Sequence, residues 1–355
     1  MTEAVVDDIV AVLPPLLNAL EALGFFGRHL HPPAFASVMN AIGSPDEVLQ
    51  AARAAIGEWP EQFAGLRERL DRACGETLAA FAGIREVERG NGDLVAVFRA
   101  LRHLPRAQEA LYPLAIQFPP VSSFFLNAAN RDNNDLLARL VGASEHTGIF
   151  HDHNEPGSRG GFSAYVPEYY TPDRAMPLVM ALHGGSGNGR AFLWSWLRDA
   201  RSLGAILVAP TATGPTWALM GEDTDTPNLM RIVETVCSRW TVDASRMLLT
   251  GMSDGGTFCY VTGLDGASPF THLAPVSATF HPLMAEMADA TRLQRLPVFI
   301  THGKLDWMFP VQTARQTQAA LSAAGADVTY REIDDLSHTY PREINAELLD
   351  WLNGR

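Results

Sequence analysis

Apolar positions recur at helical spacing through the first 145 residues, and from about residue 160 they gather into short continuous runs. Val48, Leu49, Ala52, Ala55 and Ile56 fall on one face of a 3.6-residue period, and Phe63, Leu66, Leu70, Cys74 and Leu78 continue the pattern. Ser44-Pro45-Asp46-Glu47 places a capping residue, a proline at the first helical position and an acid three residues after the cap. A helix is predicted to start there. Pro14-Pro15, Pro32-Pro33 and Pro119-Pro120 are expected to break this region into short pieces.

The later part has a different rhythm. Phe162-Ser163-Ala164-Tyr165-Val166 alternates like a strand, and Pro177-Leu178-Val179-Met180-Ala181-Leu182-His183 is an apolar run bounded by proline and a Gly-Gly pair. Further runs stand at 205–209, 247–250, 273–276, 297–300 and 328–330, with helical stretches near 228–239, 255–264, 311–324 and 342–353. Apolar strands alternating with helices predict a mostly parallel sheet flanked by helices on both faces. The fold class is therefore α/β with an all-helical N-terminal domain, divided into residues 1–145 and 146–355. The polar stretch 127–158 reads as the connector.

Composition narrows the field of partners. The 355 residues carry a net charge of -13, which disfavours a nucleic-acid partner because phosphate backbones are bound by clustered basic residues. Lys304 is the sole lysine among 27 basic residues, a bias associated with GC-rich bacterial genomes. Three scattered cysteines without a C-x-x-C fit a reducing compartment, and the acidic amino terminus is unlike a secretory leader. No apolar run is read as reaching about 18 residues, so no membrane span is expected and the chain is placed in the cytoplasm. A homo-oligomer is left open.

The chemistry centres on Gly251-Met252-Ser253-Asp254-Gly255-Gly256, a G-x-S-x-G turn after the apolar run 247–250. Glycines on both sides allow a cramped strand-to-helix turn that holds the serine hydroxyl above the sheet, facing the N-terminus of the next helix. Such a nucleophile needs a base, a carboxylate to orient it and donors for an oxyanion. His338 lies after the last strand, and Asp306 lies in the turn after the strand before it. Asp334 and Asp335 adjoin His338 and are the alternative acids. His281 and His302 stand near strand ends and read first as satisfied polar residues. His151-Asp152-His153 offers two imidazoles but no evident third metal ligand.

From about residue 160 onward the chain resembles an α/β-hydrolase serine esterase of the polyhydroxybutyrate-depolymerase-like and feruloyl-esterase-like branch. The resemblance rests on Leu182-His183-Gly184-Gly185, on Val242-Asp243 with Arg246 leading into the serine turn, on Gly303 with Asp306, and on His338. It implies an α/β-hydrolase fold, a Ser253, Asp306, His338 triad, and an oxyanion hole from the backbone N–H groups of Gly185 and Asp254, with His183 structural. Gly184, Trp217, His281 and Trp307 are expected to line the substrate pocket, with core packing the alternative for the tryptophans. Neither a metal nor an organic cofactor is required, and the partner is a small-molecule ester. The interval 279–295 is too short for a helical lid, so the N-terminal helices are expected either to cover the pocket or to mediate oligomerisation. A prolyl-oligopeptidase-like peptidase and a binding protein on a hydrolase scaffold are the rival readings.

Overall fold

The computed structural model describes residues 1–90, 93–142 and 144–354. Ala143, within the expected connector, lies outside the described residues. The chain divides into two compact units, Met1–Val141 and Gly142–Arg355.

The first unit is helical. Its longest helices are Glu3–His29 and Ala64–Glu88, and the predicted helix after Ser44 is Pro45–Ala54. Ser44 itself makes no side-chain cap, and the proline at the first helical position with two acids in the first turn marks that helix start instead. Paired ions hold the bundle: Arg85 grips Asp46 through Nε and Nη2 at 2.7 and 2.6 Å, and Arg53 grips Asp71 at 2.8 and 2.9 Å.

Two expectations fail in the first helix. Pro14 and Pro15 do not break it, and Glu3–His29 runs through both. The carbonyls that lose a donor to the prolines are those of Val10 and Ala11, whose residues are exposed, so water can take the missing bonds. This helix is also long and apolar enough to cross a membrane, with a mean hydropathy of 1.8 over its best window. Between Ile9 and Phe26 the single charge is Glu21, which counting uninterrupted apolar runs overlooked. In this structure Glu21 pairs with Arg131 at 2.5 Å, and Ile9, Val12, Leu16, Leu20, Leu23 and Phe26 are buried.

The second unit is an eight-stranded sheet. Its strands are β1 (Gly148–Asp152), β2 (Phe162–Val166), β3 (Met176–Leu182), β4 (Ile206–Pro210), β5 (Val242–Met252), β6 (His272–Val276), β7 (Pro297–Gly303) and β8 (Asp327–Ile333). Their spatial order is β1-β2-β4-β3-β5-β6-β7-β8. The β1–β2 and β2–β4 pairs are antiparallel and the others parallel. β2, β3 and β4 are buried along their whole length, as strands covered on both faces must be. β1 falls within the expected connector. Its residues are half-buried to exposed, so it lacks the apolar run that revealed the other strands.

The order fixes where a site can form. The chain leaves β3 for β4 on one side and then places β5 on the other, so the direction of winding reverses between β3 and β5. In open α/β sheets ligands bind outside the carboxyl ends of the strands at such a reversal. The Gly184-Gly185 turn follows β3 and Ser253 follows β5.

Candidate active site

Ser253 occupies the residue between β5 and the helix Asp254–Gly263, with φ 56° and ψ -119°. A non-glycine residue in such a conformation costs of order 1–3 kcal/mol, so the surroundings must impose it. They do so through the glycines. A Cβ on Gly251 would lie 2.5 Å from the Gly255 carbonyl oxygen, and one on Gly255 would lie 2.4 Å from that of His183. β3, β5 and the helix therefore meet at backbone distance. The Ser253 N–H donates to Val276 O at 2.9 Å and fixes the turn to β6.

Three predicted residues come together here. His338 Nε2 lies 3.1 Å from Ser253 Oγ, and His338 Nδ1 lies 2.9 Å from Asp306 Oδ2. All three are buried. Asp306 is itself fixed, because its Oδ1 accepts the N–H groups of Met308 at 2.9 Å and Phe309 at 2.8 Å. Burial pushes its carboxyl up, but the hydrogen bond to His338, the Phe309 N–H and the nearby imidazoles together hold it below the ordinary value. Asp334, an alternative acid, instead pairs with Lys304 at 2.5 Å on the surface.

The turn after β3 is built on His183, which is buried with its ring nitrogens engaged by the backbone. The Ala212 N–H donates to His183 Nε2 at 3.1 Å, so that nitrogen accepts and the proton sits on Nδ1, 2.7 Å from the Gly184 carbonyl. Burial pushes its imidazole down to about 4, which keeps it neutral at physiological pH. Trp217 donates its indole N–H to the His183 carbonyl at 2.7 Å and packs against Phe258. Among the described residues, neither the Gly185 nor the Asp254 N–H joins the backbone hydrogen bonds of the surrounding turns. Gly184 lies against Ser253, with a Cβ there 3.7 Å from that of the serine.

Residues 222–353, which contain all three members of this hydrogen-bonded chain, match the phospholipase/carboxylesterase family of α/β-hydrolases. This part of the chain has the α/β-hydrolase fold and is similar in sequence to phospholipases and carboxylesterases. A bifunctional acetylxylan esterase/xylanase of Neocallimastix patriciarum is 29% identical over 157 residues, covering 43% of this chain. The matched stretch is 22% of that relative, so the chain spans about a fifth of its length. Similar solved structures include a thermostable esterase at 18% identity and TM-score 0.48, covering 58% of this chain and 62% of that one. A ferulic acid esterase has 16% identity and TM-score 0.48, covering 57% and 96%.

The remaining pocket expectations separate within the α/β-hydrolase unit. Trp217 is buried in the core, and it also lines a cleft of about 740 Å³ with Thr213, Thr216, Leu219, Met220 and Asp225. Trp307 is exposed beside His338, with ring centroids 6.2 Å apart. His281 is exposed, and its Nδ1 accepts the Leu283 N–H at 3.2 Å, a turn-forming role. His302 is buried, with Nε2 2.8 Å from the Phe309 carbonyl and 3.5 Å from Asp306 Oδ2, so it braces the aspartate turn from below. His151 contacts Ser163 at 2.8 Å, and among the described residues no cluster of three or more His, Cys, Asp or Glu is arranged to hold a metal.

Two contributors escaped sequence reasoning. Thr216 Oγ1 donates to Asp254 Oδ2 at 2.5 Å, tying the loop after β4 to the residue following the serine. Asp225 accepts the N–H groups of Thr213 at 2.7 Å and Ala218 at 2.8 Å and so shapes that loop. Neither belongs to a motif, and their partners are fixed only by the tertiary fold.

Proposed function

We propose that the chain hydrolyses carboxylic esters through an acyl-enzyme on Ser253. The observation that carries this reading is the continuous hydrogen-bonded chain from Ser253 Oγ through His338 to Asp306, at 3.1 and 2.9 Å, on a strained turn at the switch point of the sheet. Ser253 Oγ attacks the ester carbonyl while His338 Nε2 takes its proton. The carbonyl oxygen becomes an oxyanion held by the N–H groups of Gly185 and Asp254, and loss of one such donor costs about 3 kcal/mol of transition-state stabilisation. His338 then protonates the leaving alcohol as the tetrahedral adduct collapses. Water, deprotonated by the same imidazole, releases the acid and restores the serine. Asp306, held ionised, keeps the proton on Nδ1 and steadies the imidazolium as it forms.

The likeness to an acetylxylan esterase supports an ester of a small acyl group. The test is turnover of p-nitrophenyl acetate and butyrate beside a p-nitroanilide. Wild type should cleave the esters and leave the anilide nearly untouched, and Ser253→Ala should lower ester turnover by at least about a thousandfold. Ester turnover that survives in Ser253→Ala would sink the reading, and faster anilide cleavage would move it to a peptidase.

A further inference from the structure

The strongly exposed large apolar side chains of the α/β-hydrolase unit are not scattered over its surface. Among the described residues of this unit they are Met220, Leu283, Leu305, Trp307 and Met308, all in segments leaving the carboxyl ends of β4, β6 and β7. That edge of the sheet is the one that carries Ser253. Of the seven tryptophans in the chain, Trp307 is the one that stands exposed, at 45%, whereas Trp194, Trp196, Trp217 and Trp240 are buried.

The turn that presents Trp307 is fixed at several points. Lys304 N–H donates to Ile333 O at 2.9 Å, Leu305 N–H to Leu336 O at 2.9 Å, and Asp306 Oδ1 accepts the N–H groups of Met308 and Phe309 at 2.9 and 2.8 Å. A Cβ on Gly303 would lie 2.1 Å from Leu336 O, so the turn is pressed against the His338 loop. An indole left in water on so well-anchored a turn is held there by architecture. The part of its apolar surface left in water is open to a ligand.

We infer that Trp307 is a specificity-determining platform for the alcohol side of the substrate, and that the preferred alcohol presents a flat ring face, aromatic or pyranose. This rests on the reading of Ser253 as nucleophile. The geometry assigns the side: the leaving oxygen must reach His338 Nε2 to receive its proton, while the carbonyl oxygen points away toward the Gly185 and Asp254 N–H groups. Whatever the leaving oxygen carries therefore sits next to the imidazole, and the half-exposed Trp307 ring lies 6.2 Å from the centre of that imidazole. A planar π or C–H face covers an indole well, and a linear alkyl chain covers less of it at a higher entropic cost.

The test compares phenyl acetate, a methyl pyranoside monoacetate and n-butyl acetate on the full chain, in wild type, Trp307→Ala and Trp307→Phe, with fluorophosphonate labelling of Ser253 alongside. Taking each variant relative to wild type on the same ester cancels intrinsic leaving-group reactivity. Trp307→Ala should lower kcat/KM by about tenfold for at least one ring ester, chiefly through KM, and by under about twofold for butyl acetate. Trp307→Phe should recover most of that loss for the aryl ester. Loss confined to phenyl acetate identifies an aryl alcohol, and loss confined to the pyranoside identifies a sugar. A uniform loss on all three esters, or none on either ring ester, overturns the platform while labelling of Ser253 leaves the nucleophile standing. Failure of wild type to label at Ser253 overturns the reading beneath it.

Discussion

At the scale of single residues, the proposed site rests on one histidine in line with the serine and two that are structural. His338 stands between Ser253 and Asp306, whereas His183 and His302 hold the turns that flank it. Asp306→Asn should leave the fold intact and lower kcat by about ten-thousandfold, because the amide favours the wrong imidazole tautomer. Steady-state kinetics beside a circular dichroism melt checks this. His183 makes a prediction about acid. Its folded value is depressed to about 4 from an unfolded value near 6.5, so between those limits the unfolded chain binds the additional proton. Stability from this group is present above about pH 6.5 and is lost as pH falls toward 4, by up to roughly 3 kcal/mol. Urea midpoints measured across that range should fall, and the same segment should be flatter in His183→Asn, which starts from a lower midpoint. Ser253, Asp306 and His338 were legible in the sequence because each follows a recognisable apolar strand. Thr216 and Asp225 were not, since a hydroxyl and a carboxylate in a loop announce nothing until their partners are known.

At the scale of elements, close backbone approach is what makes the serine turn work. Gly255→Ala would push a methyl to 2.4 Å from the His183 carbonyl oxygen and 2.6 Å from that of Leu182, neither of which can yield without separating β3 from the helix behind Ser253. It should destabilise the protein by more than about 3 kcal/mol and abolish esterase turnover together. Gly27, inside Glu3–His29 with nothing within 4 Å of an added Cβ, is the matched control. Gly27→Ala should raise stability by about 0.5–1 kcal/mol and leave turnover unchanged, as chemical denaturation would show. The buried strands were readable as continuous apolar runs, and β1 was missed because an edge strand needs no such run. The long first helix was misread in two ways. Proline pairs usually end a helix, and here they sit where the carbonyls they leave unpaired face water.

At the scale of the whole molecule, two compact units share the chain, and every residue of the proposed catalytic chain lies in Gly142–Arg355. The change from a 3.6-residue period to strand-like runs makes this division readable in the amino-acid sequence. The role of the helical unit is not readable there, because amphipathic helices report a buried face and say nothing of what the other face does. Residues 142–355 expressed alone should still label at Ser253 with a fluorophosphonate, because no link of the Ser253, His338, Asp306 chain is contributed from residues 1–141. Comparing its kcat/KM on short and long acyl esters with that of the full chain then shows whether the helices influence substrate size.

The central claim is that an acyl group passes through Ser253 Oγ. Rapid acid quench during turnover of p-nitrophenyl acetate, followed by peptide mass spectrometry, tests it most directly. The account predicts an acetyl mass increment on the peptide containing Ser253, formed within the first turnover and absent from Ser253→Ala. Steady ester hydrolysis with no increment at Ser253, or with the acetyl on another residue, would contradict it.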